Sequence, residues 1–208
     1  MLTAVPFGIY HIESSWKGIL LSSLINSAIG FFLYYSTKNN QNKELRKRDG
    51  YLIVTSSWII MSFFGMLPYL ITGQIPGVAN AFFETVSGYT TTGATILDDI
   101  ESLDHGILYW RSLTQWIGGM GIIVLAVAIL PFLGIGGMQL FVAEAPGVSI
   151  DKLQPRIKET AMRLWQIYIS FTVILFFILW AEGMNSFEAV NHATVSYTHL
   201  TLPTILLV

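Results

Sequence analysis

The chain contains no cysteine among its 208 residues, which excludes both a disulfide framework and a thiolate metal site. Charge is scarce as well. Asp, Glu, Lys and Arg make up 12% of the residues against 53% hydrophobic, a balance that suits an integral membrane protein better than a soluble domain. The opening residues, MLTAVPFGIYHIESSWKG, have no basic n-region and no small-residue cleavage site. They do not read as a signal peptide; they look like the tail of an earlier apolar segment. No nucleophile–base pair and no acid dyad is apparent, so catalysis is not expected and no cofactor is implied. His11, His105, His192 and His199 are scattered, none at metal-ligand spacing to another His or acid, and read as interface residues.

Another absence is local. Between Gly73 and His105 there is no Lys or Arg, yet Glu84, Asp98, Asp99, Glu101 and Asp104 fall there. Four apolar runs surround this stretch: Gly18–Ser36, Tyr51–Thr72, Gly106–Gly134 and Ala161–Gly183. Each is long enough for about one bilayer crossing. Pro68 lacks an N–H, so a kink or early end is expected near the end of the second run. Basic residues collect in Thr37–Gly50 and Ile135–Arg163. The positive-inside rule puts both segments in the cytoplasm and the acidic stretch outside. Acids at an outer mouth either raise the local cation concentration or simply solvate an outer loop.

Within that stretch, Ala81–Thr95 reads AFFETVSGYTTTGAT. It is too short and too polar to cross a bilayer. Asn80–Tyr89 is predicted to be a short helix. Thr90–Thr95 is predicted to be irregular, because threonine loses χ1 freedom in a helix and Gly93 permits unusual backbone angles. Non-helical backbone is tolerated inside a membrane only where protein buries it or it lines a watery cavity. A half-helix followed by a Thr/Gly strand suits a cation filter, in which backbone carbonyls replace an ion's hydration shell. Thr91, Thr92 and Gly93 would then turn carbonyls inward and hold a cation, at Thr91 and Thr92 in particular. The plain alternative is an ordinary Thr/Gly turn in an outer loop. One glycine suggests a shorter stack of carbonyls and looser ion discrimination.

Arg111 lies near the outer end of the third run, where a bare cation must snorkel or pair. Glu84, on the pore half-helix, is the expected partner, with structural bracing preferred over a role on the ion path. Gly118, Gly119 and Gly121 sit mid-span. They either let the helix bend or approach the loop, or serve close helix packing, the preferred reading. No strand precedes them, so they are not a phosphate cradle. Trp110, Trp116 and Trp165 read as belt or packing aromatics.

Phe83-Glu84-Thr85-Val86 is echoed by Phe187-Glu188-Ala189-Val190, each after an apolar span and a short polar turn. The repeat unit is span, half-helix, loop, span. At this register Tyr197 stands where Gly93 stands in the first copy, and the tail VSYTHLTLPTILLV has no glycine. The second loop is expected to stop near Ala193–Ser196, with the remainder foreign.

SGYTTTGAT, WRSLTQWIGGMGIIVLAVAILP and GIGGMQLFVAEAPG, in this order and spacing, resemble the Trk/Ktr/HKT superfamily of potassium transporters, and within it the bacterial TrkH type. The resemblance covers roughly Met1–Ala193. It implies an all-α membrane protein of potassium-channel-like M1–pore loop–M2 repeats, truncated here to about one and a half. Residues 1–50 would hold the extra N-terminal helices, the first incomplete, and a basic loop. Residues 51–134 would be the first repeat, 135–160 a cytoplasmic loop, 161–194 the start of the second repeat, and 195–208 a non-native tail. The implied filter has four loops, of which Thr91, Thr92 and Gly93 line the first, supported by Glu84, Gly88 and Arg111. The implied setting is multi-pass, in the inner (plasma) membrane among lipid. The implied partners are a second copy, as a homodimer, and a TrkA-type nucleotide-binding regulatory subunit, with no nucleic acid. Potassium is substrate and not cofactor.

The alternatives are a carrier coupled to protons or sodium and a non-transporting assembly subunit. Coupling usually needs ionisable groups inside the membrane, and the spans hold few. One filter quarter cannot close a pore. These 208 residues alone are therefore expected not to rescue a potassium-uptake-deficient cell; growth on low potassium would contradict this.

Overall fold

The computed structural model describes residues 1–38, 47–133 and 153–205, with side chains at 1–38, 52–121 and 161–196. The motif GIGGMQLFVAEAPG and most of the expected 135–160 cytoplasmic loop lie outside the described residues, as does the 39–46 part of the first basic segment. Every regular element among the described residues is helical. After a short 3-10 turn they are α1 (Val5–Tyr10), α2 (Ser15–Thr37), α3 (Lys47–Gly65), α4 (Leu67–Thr72), α5 (Val78–Tyr89), α6 (His105–Leu133), α7 (Leu153–Ala181) and α8 (Ser186–Ile205). Among the described residues, three stretches are long and apolar enough to cross a membrane: Ser15–Thr37, Leu52–Thr72 and Ala161–Ala181. With 29 residues, α6 has a length of about 44 Å at 1.5 Å per residue, ample for a hydrocarbon core of about 30 Å.

The chain divides into two compact units, Met1–Gln115 and Trp116–Val208, with the boundary inside α6. The core of the first unit gathers Ala4, Ile19, Met66, Tyr69, Ile75, Ala81, Leu103, Ile107 and Trp110. In the second unit α7 packs along α8. Trp116 anchors the start of this unit. Its Nε1 donates to Thr172 Oγ1 at 3.1 Å, and Tyr168 Oη donates to the Trp116 carbonyl at 3.1 Å.

The second crossing breaks at Met66, between α3 and α4, with Pro68 in the first turn of α4. The cause is the missing donor. Pro68 cannot reach back to the Phe64 carbonyl, and the Tyr69 N–H bonds Met66 O instead, at 3.1 Å. Two carbonyls are thereby released at membrane depth, where each must find a partner. Asn26 Nδ2, from α2, donates to Phe64 O at 3.4 Å, and Trp110 Nε1, from α6, donates to Gly65 O at 3.0 Å. The break therefore fastens three spans together.

Glu13 makes a second long-range tie. One of its carboxylate oxygens accepts the His105 N–H at 3.0 Å, and the other accepts the Gly106 N–H at 3.4 Å. A carboxylate at a helix start satisfies free donors and complements the helix dipole. Read from the sequence as scattered interface residues, His11 and His105 stack, with ring centroids 3.6 Å apart, and His105 Nδ1 lies 2.5 Å from Glu13 Oε1. Spacing in the sequence gave no sign of this, because the partners are 92 residues apart.

Replacing Trp110 by Phe keeps the buried ring and strands the Gly65 carbonyl. A loss of about 1–3 kcal/mol is expected, read as a lowered unfolding midpoint in detergent. An unchanged midpoint would show that the Trp110 bond is not what closes the break.

Candidate functional site

Helix α5 is buried along Glu84, Thr85, Ser87, Gly88 and Tyr89. It fits closely because Gly88 has no side chain: a Cβ there would overlap the Thr114 hydroxyl of α6. The helix ends in a Schellman cap. The Thr92 N–H donates to Ser87 O and the Thr91 N–H donates to Gly88 O, both at 3.0 Å. The cap position that usually takes glycine is Thr91, with φ +57°. A β-branched residue there is strained by about 1–2 kcal/mol, which the cap's two hydrogen bonds help to offset. Gly93 has φ +74°, where glycine carries no such penalty. Thr92, between them, is not a left-handed residue.

The loop is therefore irregular from Thr90 to Thr95, with left-handed backbone at alternate positions. The Thr90 carbonyl accepts the Thr91 hydroxyl at 2.7 Å, and the Ala94 carbonyl accepts the Ser87 hydroxyl at 2.5 Å. Among the described residues, the carbonyls of Thr91, Thr92 and Gly93 accept no hydrogen bond. Gly93 also has open space around its α-carbon.

One buried acid clamps the far side of the loop. Glu84 is 2% exposed, and its Oε1 accepts Arg111 Nε at 2.6 Å. Its Oε2 accepts the Thr95 hydroxyl at 3.1 Å and the Ile96 N–H at 3.3 Å. Arg111, on α6, is 8% exposed. A single carboxylate thus joins α5, α6 and the loop that leaves the Thr/Gly stretch. The pairing expected from the sequence is present, and the structure adds the loop as a third member.

The other expected residues fall elsewhere. Gly118 and Gly119 are buried and Gly121 is half-buried, all within the uninterrupted helix α6; no bend marks them. The acids at Asp98, Asp99 and Glu101 are exposed. Asp99 Oδ1 accepts the Glu101 N–H at 3.0 Å, an ordinary turn contact. Among the described residues, no three metal-type ligands come together. In the second copy of the repeat Glu188 is exposed, and α8 runs on through the register of Tyr197. Ser87 was missed by sequence reading. Its only signal was position, one residue before Gly88 and at the height of the loop.

A set of long apolar helices enclosing a short buried helix and a clasped Thr/Gly loop defines a polytopic membrane protein of the potassium-channel-like class. Residues 16–202 match the family model for TrkH, described as a cation transport protein. The chain belongs to the TrkH family.

It is 49% identical over 169 residues to the Trk system potassium uptake protein TrkH of Escherichia coli K12, covering 80% of this chain and 35% of that protein. It is 44% identical over 197 residues to the TrkH of Halomonas elongata, covering 92% and 41%. The crystal structure of the potassium transporter TrkH from Vibrio parahaemolyticus superposes with a TM-score of 0.78 at 36% identity, over 93% of this chain and 38% of that one. The chain thus spans between about a third and two fifths of the length of its relatives.

Breaking a buried pair from one side leaves an uncompensated charge, at a cost of about 3–5 kcal/mol. Arg111→Glu is expected to abolish expression, and Glu84→Ala alone to reduce folded yield sharply. The double change Glu84→Gln with Arg111→Met should cost less than the sum of Glu84→Gln and Arg111→Met made singly. Strict additivity, or normal expression of Arg111→Glu with altered conductance, would remove the bracing role.

Proposed function

We propose that this chain contributes the first of four pore loops to a potassium-uptake transporter in the bacterial inner membrane. In this reading the carbonyls of Thr91, Thr92 and Gly93 replace part of the hydration shell of K⁺, with Thr91 and Thr92 the main ligands. One observation carries the reading: three consecutive carbonyls without hydrogen bonds are flanked by two that are occupied, at Thr90 and Ala94. In an extended strand successive carbonyls point to opposite sides. Left-handed backbone at Thr91 and Gly93, with an ordinary residue between them, is a way to bring such carbonyls to one side. The relatives supply the ion: they are potassium uptake proteins.

Passive conduction is favoured over coupled carriage. Among the described residues, the buried acidic and basic side chains are Glu84 and Arg111, and they pair with each other. Neither is left to shuttle a proton. The loop sits on the outer face by the charge asymmetry of the flanking segments. The full-length assembly is a homodimer gated from the cytoplasm by a TrkA-type subunit. Glu84, Gly88 and Arg111 support the loop, while Gly118, Gly119 and Gly121 allow close helix packing.

The test uses a chimera in which this chain's matched segment replaces that of the E. coli relative. Potassium uptake should be retained, and Gly93→Ser should lower the ratio of potassium to sodium uptake. Serine meets no neighbour there, so its effect comes from the left-handed backbone it must adopt. An unchanged ratio would overturn the filter assignment.

A further inference from the structure

Ser87 touches the Thr/Gly loop on both sides of Gly93. Its carbonyl accepts the Thr92 N–H at 3.0 Å, and its hydroxyl donates to Ala94 O at 2.5 Å. The residue is 5% exposed, in the last turn of α5, so neither bond is made by a mobile surface group. The two contacts differ in kind. Any residue could provide the first, because it uses the backbone. Only a side-chain donor of this length provides the second.

The second bond decides how long the row of free carbonyls is. Without it, Ala94 O would join the partnerless carbonyls of Thr91–Gly93 and connect them with those of the loop that follows, next to an exposed glycine with open space around it. With it, Ala94 O is turned back onto α5 and the row ends at Gly93. The inner end is closed similarly, by the Thr91 hydroxyl on Thr90 O at 2.7 Å. Discrimination between potassium and sodium depends on the number and field strength of the carbonyls offered and on how firmly they are held. We propose that the Ser87 hydroxyl is a specificity-determining positioning group: it ends the ligand row at Gly93 and holds that end against collapse around a smaller ion. This rests on the filter reading of Thr91–Gly93. Ser87 does not touch the ion; it acts through Ala94. Its role is distinct from that of Glu84, which grips the loop one residue further on, at Thr95 and Ile96.

The experiment measures potassium and sodium uptake by the chimera, reconstituted in liposomes, with Ser87, Ser87→Ala, Ser87→Thr and Gly93→Ser compared at matched protein level. Ser87→Ala is expected to lower the potassium-to-sodium ratio about two- to tenfold, the range that follows from losing one buried hydrogen bond. Ser87→Thr, which keeps the hydroxyl, should restore the ratio; a purely structural role would affect protein yield and leave the ratio alone. If Ser87→Ala does not accumulate, Ser87→Cys, a near-isostere with a weak donor, carries the same expectation. A ratio unchanged by loss of the hydroxyl while Gly93→Ser lowers it would overturn the Ser87 proposal and leave the filter standing. A ratio unchanged by both would overturn the filter reading itself.

Discussion

The Glu84–Arg111 pair is the interaction on which the first unit depends. Taking two charges out of water costs several kcal/mol per ion, and their attraction repays this only with good geometry and further hydrogen bonds. Both conditions are met. The contact is 2.6 Å, and the second carboxylate oxygen is occupied by Thr95 and Ile96. Because Glu84 cannot lose any of these partners cheaply, the short helix, the long helix and the loop exit are held in one arrangement. The pair does not favour the fold merely by being ionic. It makes alternatives costly, since any arrangement that separates the three elements leaves a charge buried and unpaired.

The same logic governs the backbone. Pro68 releases two carbonyls, and side chains from two other helices take them. The end of α5 leaves carbonyls that the Thr91 and Thr92 N–H groups take. The start of α6 leaves N–H groups that Glu13 takes. At Thr91–Gly93 three adjacent carbonyls accept nothing among the described residues, while Thr90 O and Ala94 O on either side are occupied. Buried or membrane-depth backbone is normally paired, so an unpaired row held in place by its neighbours is the chemistry expected of a site that supplies its own ligands to a cation.

Much of the fold was legible because the signals were local. Span lengths follow from apolar runs, the break near Pro68 from a missing donor, and the irregular loop from Thr and Gly. The Glu84–Arg111 contact was also legible, because a lone arginine near a span end demands an acid and Glu84, on the short helix, was the expected partner. Three things were not legible. Thr91 in a left-handed conformation goes against the residue's own preference and is set by the cap geometry of α5. The stacking of His11 on His105 and the capping by Glu13 join residues whose separation hides them. The echo of Phe83-Glu84 in Phe187-Glu188 suggested like environments, yet Glu84 is buried and Glu188 exposed. The difference lies in the partner: Glu84 is held by Arg111, from the span after its own loop.

The most direct measurement of the central claim is anomalous diffraction from crystals of the chimera grown with thallium, a potassium mimic visible by its scattering. The account predicts an ordered thallium peak in contact with the carbonyl oxygens of Thr91, Thr92 and Gly93, with Ala94 O still bonded to Ser87. Thallium bound only elsewhere, or a Thr90–Thr95 segment lying as regular helix away from any shared axis, would contradict it.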